Sequence, residues 1–211
     1  MRTEEVRATL YIDIETIPGV EPNLDSIVPD ARLKDPEKIA VDLVAKQEKQ
    51  WTAQSFDPFV GEIFCIGVAV NDEEPFCIVD VDEEAVLRQF EKEMAKHPFP
   101  VIVGHNILEF DARWLFVKGL KYRLPSVVTL FSDSRIMRDT MRIMDGTAWK
   151  TMTSQDKMAK NFGLAGKGEV DGSMVWGLVK AGQGDKVCKY CCDDVATLRK
   201  CFKELHSLGL R

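Results

Sequence analysis

No stretch of this sequence approaches the roughly 20 consecutive apolar residues that span a bilayer. The N-terminal Met-Arg-Thr-Glu-Glu-Val-Arg has no apolar signal core either. A membrane is therefore not expected as a partner. Histidine is scarce, at three residues in 211, which argues against a histidine-built metal centre. There is no Gly-x-x-x-x-Gly-Lys-Ser/Thr phosphate loop, no internal repeat and no low-complexity tract. An excess of positive charge is also missing. The net charge of -6 gives no bulk attraction to nucleic acid, although a local basic stripe suffices for binding, and an acidic metal site itself lowers the total. The six cysteines do not read as a disulfide framework, because Cys188, Cys191, Cys192 and Cys201 crowd one expected helix and cannot all pair with each other. Reduced thiols and a cytoplasmic setting are expected. A zinc site from Cys188 and Cys191 would need a second ligand pair, and none is spaced for it.

What is present is a soluble globular composition, 45% hydrophobic and 29% charged. The length fits one α/β domain over 1–211, with an inserted helical segment at about 20–60. Residues 8–15, Ala-Thr-Leu-Tyr-Ile-Asp-Ile-Glu, alternate as a strand does. Leu10, Ile12 and Ile14 share one face; Tyr11, Asp13 and Glu15 share the other. Two carboxylates at that spacing repel unless a cation lies between them, and hard ions such as Mg²⁺ and Mn²⁺ prefer such oxygens.

Pro18, Gly19, Pro22 and Pro29 break the pattern. Asp35-Pro36 then starts a charged, surface helix to about Trp51, which carries Lys38, Lys46 and Lys49 after Lys34. Residues 61–70 read as a strand buried on both faces, and 75–79 pair back with it. Asp82 caps a helix with Val86, Leu87, Phe90 and Met94 inward. A short strand at 99–104 runs into His105-Asn106-Ile107-Leu108-Glu109-Phe110-Asp111. The helix that follows turns Trp114, Leu115 and Val117 inward. Asp111 thus lies in a first helical turn just past a strand end, where ligands gather in open α/β sheets; a carboxylate there also complements the helix dipole. Residues 126–145 are expected to be extended, with Arg135, Arg138 and Arg142 spaced through them. Thr153 caps a helix to Phe162, and 163–172 form a glycine-rich loop containing Lys167.

The final helix, about 185–208, has an apolar stripe of Val187, Cys191, Val195, Leu198, Cys201 and Phe202. Tyr190 and Asp194 fall on or beside that stripe, four residues apart. Asp193 points about 100° away. A carboxylate against the core is costly unless paired or metal-bound, so Asp194 stands out and Asp193 does not. Clustered, Asp13, Glu15, Asp111 and Asp194 could hold two metal ions suited to phosphodiester hydrolysis.

The motifs Asp13-Ile14-Glu15, Asn106-x-x-x-Phe110-Asp111 and Tyr190-x-x-x-Asp194 resemble, in order and spacing, those of DEDD (DnaQ-like) 3′-5′ exonucleases of the tyrosine subgroup. Lys189 stands where the histidine subgroup would carry its histidine. The segments Lys34-Asp35-Pro36-Glu37-Lys38-Ile39, Gly61–Gly67 and Tyr190-Cys191-x-x-Asp194-Val195 are similar to predicted exonucleases akin to the proofreading domain of family B polymerases. The resemblance covers nearly the whole chain. It implies a ribonuclease H-like mixed sheet of about five strands flanked by helices, two divalent cations (Mg²⁺ or Mn²⁺), and release of nucleoside 5′-monophosphates. It implies that Asp13 bridges both ions, Glu15 and Asp194 hold the one nearer the attacking water, Asp111 supports the second, and Tyr190 orients the water. Thr16, His105, Asn106, Phe110 and Lys167 are the candidate substrate contacts. Single-stranded or frayed 3′ DNA is the expected substrate, with RNA the alternative and a non-catalytic nucleic-acid binder the less favoured one. With no polymerase domain in the sequence, a free-standing exonuclease domain is expected.

Overall fold

The computed structural model describes residues 7–98, 100–148, 151–166 and 168–210. The strands are β1 (Thr9–Ile17), β2 (Glu62–Val70), β3 (Phe76–Val79), β4 (Val101–Gly104) and β5 (Met137–Asp139). The α-helices are α1 (Pro36–Ala53), α2 (Glu83–Met94), α3 (Asp111–Lys121), α4 (Pro125–Phe131), α5 (Thr140–Asp145), α6 (Gln155–Asn161), α7 (Val175–Lys180) and α8 (Gly184–Ser207). None of the helices among the described residues is long and apolar enough to cross a membrane.

The sheet is mixed, in the order β3-β2-β1-β4-β5. The central strand β1 runs antiparallel to β2 and parallel to β4, and β4 runs parallel to β5. Alternation in β1 divides the core as its sequence requires. Leu10, Ile12 and Ile14 join the larger apolar layer with α2, α3 and α4. Tyr11 turns to the other face, with Val195 and Leu198 of α8. In α2 the inward residues Val86, Leu87, Phe90 and Met94 are all buried. Full burial of such a side chain contributes about 1.5–3 kcal/mol, so this amphipathic stripe is what holds a 12-residue helix that would be marginal alone.

The helix starts follow ordinary capping. Asp35 accepts from Glu37 N–H with Pro36 at the first position, and Asp82 accepts from Glu84 N–H. No residue of α1 is buried, as its charged sequence implies. Gly67 has a packing reason. A Cβ there would meet Cys191 Sγ at 2.7 Å, so its absence lets α8 lie directly on the sheet.

Two expectations need correction. The 126–145 segment is mostly helical, with α4, a short turn and α5 enclosing only the three residues of β5. Pro125 opens α4 at a favoured position, and Asp139 caps α5 by accepting from Met141 and Arg142 N–H, and these local starts outweigh the extended pattern. In α3, Val117 is only half-buried while Lys118 is buried. Lys118 Nζ donates to the Gly61 carbonyl at 2.5 Å and lies 3.0 Å from Glu83, which makes a buried cation tolerable. A smaller adjustment concerns α6, whose cap is Ser154 rather than Thr153.

Candidate active site

Because β1, β4 and β5 are parallel, their C-terminal ends share one edge of the sheet. Pairing of β1 with β4 stops at Tyr11↔Val103. Beyond that point Ile14 N–H is taken by Asp111 Oδ1 at 3.1 Å, so the start of α3 is fastened to β1 where the strands diverge. Gly104 permits the chain to fold back over the end of β4, since a Cβ there would lie 2.6 Å from Ile107 Cβ. Asn106 follows with φ +61°, a left-handed conformation that asparagine tolerates better than most residues.

The result is a cavity of about 320 Å³ lined by Asp13, Glu15, Asp111, Tyr190 and Asp194, together with His105, Asn106 and Phe110. Ile14, Met141, Met152, Ser154 and Gln155 complete the lining. Every carboxylate singled out from the sequence therefore reaches one place, from β1, α3 and α8. Glu15, Asp111 and Asp194 are buried and Asp13 is half-buried, whereas Asp193 is exposed and pairs with Lys189. Thr16 is not in the lining. It follows an irregularity in the β1–β2 register, and its hydroxyl donates to the Ser55 carbonyl at 2.7 Å. Lys167 lies outside the described residues. Lys34 lies just before α1 and its Nζ donates to the Ala31 carbonyl. Arg135 is held by Asp133, and Arg142 by Glu109.

The electrostatics are those of crowded acids. Burial, then the charges of Asp194, Glu15 and Asp13, push the Tyr190 hydroxyl well above its ordinary value, so it keeps its proton. Burial pushes the Asp111 carboxyl up to about 7, against the lowering effect of backbone amides and with a further rise from Asp139.

Asp139 escaped the reading of the sequence. It is buried, and it accepts from Asn106 N–H at 3.0 Å and Leu108 N–H at 3.2 Å while also capping α5. One carboxylate thus fixes the loop that carries His105, Asn106 and Phe110. An aspartate just ahead of a helix is a readable cap signal, hidden here by the extended pattern expected of the segment. Thr140 Oγ1 donates to the Gly104 carbonyl, so it accepts from His105 Nδ1–H at 2.9 Å; His105 is oriented by this bond. Gln155 of α6 was also missed. Its Nε2 donates to the Asp194 carbonyl at 2.9 Å and braces α8 at the cavity.

Beside this cavity lies a second one of about 510 Å³ that shares Tyr190 and Asp194 and is lined by Lys186, Lys189 and Lys200. These α8 lysines are not among the substrate contacts expected from the sequence. Their spacing along the helix is legible there, but which face accompanies the acids is not.

Exonuclease domains of this kind use divalent metal ions. The side chains here fit such ions: Asp13, Glu15 and Cys191 bring ligand atoms within 4.8 Å of one another. Oxygen donors suit a hard cation, while the Cys191 thiol donates toward Asp13 O at 3.5 Å and Asp13 Oδ2 at 3.7 Å. The carboxylates are the part of this group that matches Mg²⁺ or Mn²⁺.

Comparison with known proteins agrees with the fold. The fold is similar to that of a family B DNA polymerase from the hyperthermophilic archaeon Pyrobaculum calidifontis, with a TM-score of 0.65 and 17% identity. The match covers 94% of this chain but 24% of the polymerase chain, so this chain spans about a quarter of that protein's length. No curated protein matches by sequence. The family described as predicted 3′-5′ exonuclease related to the exonuclease domain of PolB matches residues 63–199, a span that contains Asp111, Tyr190 and Asp194 and begins after Asp13 and Glu15. With most of its length inside that match, and with the five-stranded mixed sheet expected of it, the chain belongs to the family of predicted 3′-5′ exonucleases related to the PolB exonuclease domain.

Proposed function

We propose that the chain is a two-metal 3′-5′ exonuclease of the tyrosine-type DEDD subgroup, acting on single-stranded DNA or a frayed 3′ end and releasing nucleoside 5′-monophosphates. The observation that carries the reading is the convergence of Asp13, Glu15, Asp111, Asp194 and the Tyr190 hydroxyl, from three distant stretches of chain, on one cavity.

Asp13, Glu15, Asp111 and Asp194 would hold the two ions. When bound, Mg²⁺ or Mn²⁺ supplies Lewis-acid stabilisation of the attacking and leaving oxygens of a phosphodiester. The protein's own groups do the rest. Tyr190 retains its phenolic proton, which hydrogen-bonds with Asp194, and its oxygen can accept from a water in the cavity. The loop fixed by Asp139 sets Asn106 and Phe110 against the terminal nucleotide. Phe110, Met141 and Met152 give the cavity an apolar wall against which an unpaired base can rest. A terminus already free of its partner is favoured, because extracting a paired base costs a few kcal/mol. Lys186, Lys189 and Lys200 line the adjoining cavity, where a phosphate backbone entering the site would meet them. Binding through so few cations is weak and salt-sensitive.

The test is digestion of matched DNA and RNA oligomers labelled at the 5′ end, with Mn²⁺ and with chelator. A ladder shortening one nucleotide at a time on DNA, abolished by chelation, is expected. Immediate release of a labelled mononucleotide or discrete internal fragments would reject 3′-5′ polarity. Preference for the RNA strand would reassign the substrate, and full activity after exhaustive chelation would end the two-metal reading.

A further inference from the structure

The cysteines tell a different story in three dimensions. The sequence offers Cys188 and Cys191 on one helix and no second pair at a suitable spacing. The sheet supplies that pair. Cys65 lies in β2, and Cys77 in β3 stands opposite Gly67, two residues further along. Cross-strand partners and residues two apart share a face, so both thiols point to the same side. That side is the one covered by α8, as the closeness of Cys191 to Gly67 shows. Cys188 and Cys191, three apart on α8, turn one face toward it.

The Sγ atoms of Cys65, Cys77 and Cys188 all lie within 4.8 Å of one another. A tetrahedral ion with metal–sulfur bonds of about 2.3 Å holds its sulfurs about 3.8 Å apart. The three thiols are therefore near the spacing of a metal site before any ion enters. Cys191 lies outside that group of three but shares its apolar cluster and hydrogen-bonds with Cys65 and Cys77, so a small inward shift makes it the fourth. All are free thiols. Cysteine is common as a small apolar core residue, and here four cysteines from two strands and a helix share one cluster. The apolar surroundings, Val175 and Val187 with Phe64 and Ile17, give the dry shell typical of structural sites. Cys65 and Cys191 are buried, while Cys77 and Cys188 are half-buried and leave an entry path.

We propose that Cys65, Cys77, Cys188 and Cys191 form a binding site for one thiophilic divalent ion, Zn²⁺, that staples α8 to the β2–β3 edge of the sheet. The four sulfurs are soft donors, distinct from the hard carboxylates of the cavity. Each thiol that becomes a ligand gives its proton to solvent, so loading is favoured as pH rises. The staple has a functional consequence. Cys191 follows Tyr190 directly on α8 and precedes Asp194 by three residues, so an ion here fixes the stretch of α8 that presents Tyr190 and Asp194 to the cavity.

Cobalt provides the spectroscopic test, since a Co²⁺–thiolate centre absorbs by sulfur-to-metal charge transfer and a carboxylate-bound Co²⁺ does not. The full chain, reduced and metal-free, is titrated with Co²⁺ and then with Zn²⁺. The expected result is one equivalent of Co²⁺ with a charge-transfer band, displaced by Zn²⁺, and a rise in melting temperature on Zn²⁺ addition. The band should vanish in Cys77→Ser/Cys188→Ser, whose half-buried positions tolerate a hydroxyl, and should persist in Asp13→Asn. Absence of the band in reduced wild type overturns the proposal irrespective of how any variant folds, as does its survival in the double variant. Loss of the band in Asp13→Asn would place the ion among the carboxylates and overturn it too. None of these readouts depends on nuclease activity, so the outcome is independent of the proposed function.

Discussion

Glu83 and Asp111 make an instructive pair. Each is a buried acid in the first turn of a helix, and each accepts the backbone N–H of a β-strand residue: Glu83 from Ile63 of β2 at 2.8 Å, Asp111 from Ile14 of β1 at 3.1 Å. They differ in their other neighbours. Glu83 also accepts from Tyr122 Oη at 2.6 Å and Lys121 Nζ at 3.0 Å, and Lys118 Nζ lies 3.0 Å away. Burial pushes the Glu83 carboxyl up, but bonds from Tyr122, Ile63 and Lys118 together bring it below its ordinary value. Asp111 meets backbone amides and the like charge of Asp139, and it is pushed up to about 7. One local arrangement thus yields a settled ionic joint between α2, α3 and β2, and an acid facing a cavity. What surrounds the buried acid, rather than its place on the helix, separates the two.

The largest expected effect lies on the structural side. Glu83→Ala leaves Lys118 buried without its carboxylate, and breaking a buried pair in this way costs about 3–5 kcal/mol. Urea unfolding should show this loss as a lower midpoint, with per-molecule nuclease activity retained in the folded fraction. A midpoint close to wild type would mean that water already screens the joint.

Asp111→Asn should invert that result. Asparagine keeps an oxygen for Ile14 N–H but gives up the charge. Nuclease turnover should fall by about a hundredfold or more, since metal-assisted stabilisation amounts to several kcal/mol at about 1.4 kcal/mol per decade. The metal-free variant should melt no lower than wild type, because one member of a crowded acidic set has been neutralised. Normal turnover in Mg²⁺ would reduce Asp111 to a second Glu83, an acid that only joins elements.

The same contrast explains what could be read from sequence alone. Strand alternation placed Asp13 and Glu15 opposite Leu10, Ile12 and Ile14, and helical phase placed Asp194 inward and Asp193 outward; both follow from local periodicity, and both agree with burial in the fold. The α1 and α2 starts were legible because Asp35 and Asp82 are local signals. What escaped depends on partners distant in sequence. Lys118 is inside because Glu83 and the Gly61 carbonyl receive it. Asp139 gains its importance from amides 31 and 33 residues away. The diagonal approach of Cys77 to Cys65 arises from strand register, which spacing along the chain does not reveal.

A smaller effect should separate the proposed catalytic hydroxyl from the apolar packing around it. Tyr190 packs with Cys65, Val175 and Val187, contacts that phenylalanine preserves. Tyr190→Phe removes one hydrogen bond of about 1 kcal/mol, which corresponds to about a 5-fold slower rate with unchanged single-strand affinity. Weaker binding at an unchanged rate would make Tyr190 a packing residue.

The smallest effect is expected one residue from an important one. Asp193 and Asp194 are neighbours on α8, yet a step of about 100° around the helix sends the first to the exposed wall of the lysine-lined cavity, paired with Lys189, and the second to the acidic cavity. Exposed pairs of this kind contribute little, so Asp193→Asn should leave melting temperature and turnover within error of wild type. It also releases Lys189, which lines the cavity beside Tyr190. A freed cation there can meet a phosphate, so single-strand affinity at low salt should rise modestly and the gain should disappear as salt is added. Asp194→Asn, measured alongside, should lose turnover as Asp111→Asn does. If the two asparagine variants behave alike, the division of α8 into a solvent face and a proposed metal-binding face is wrong, whatever burial suggests.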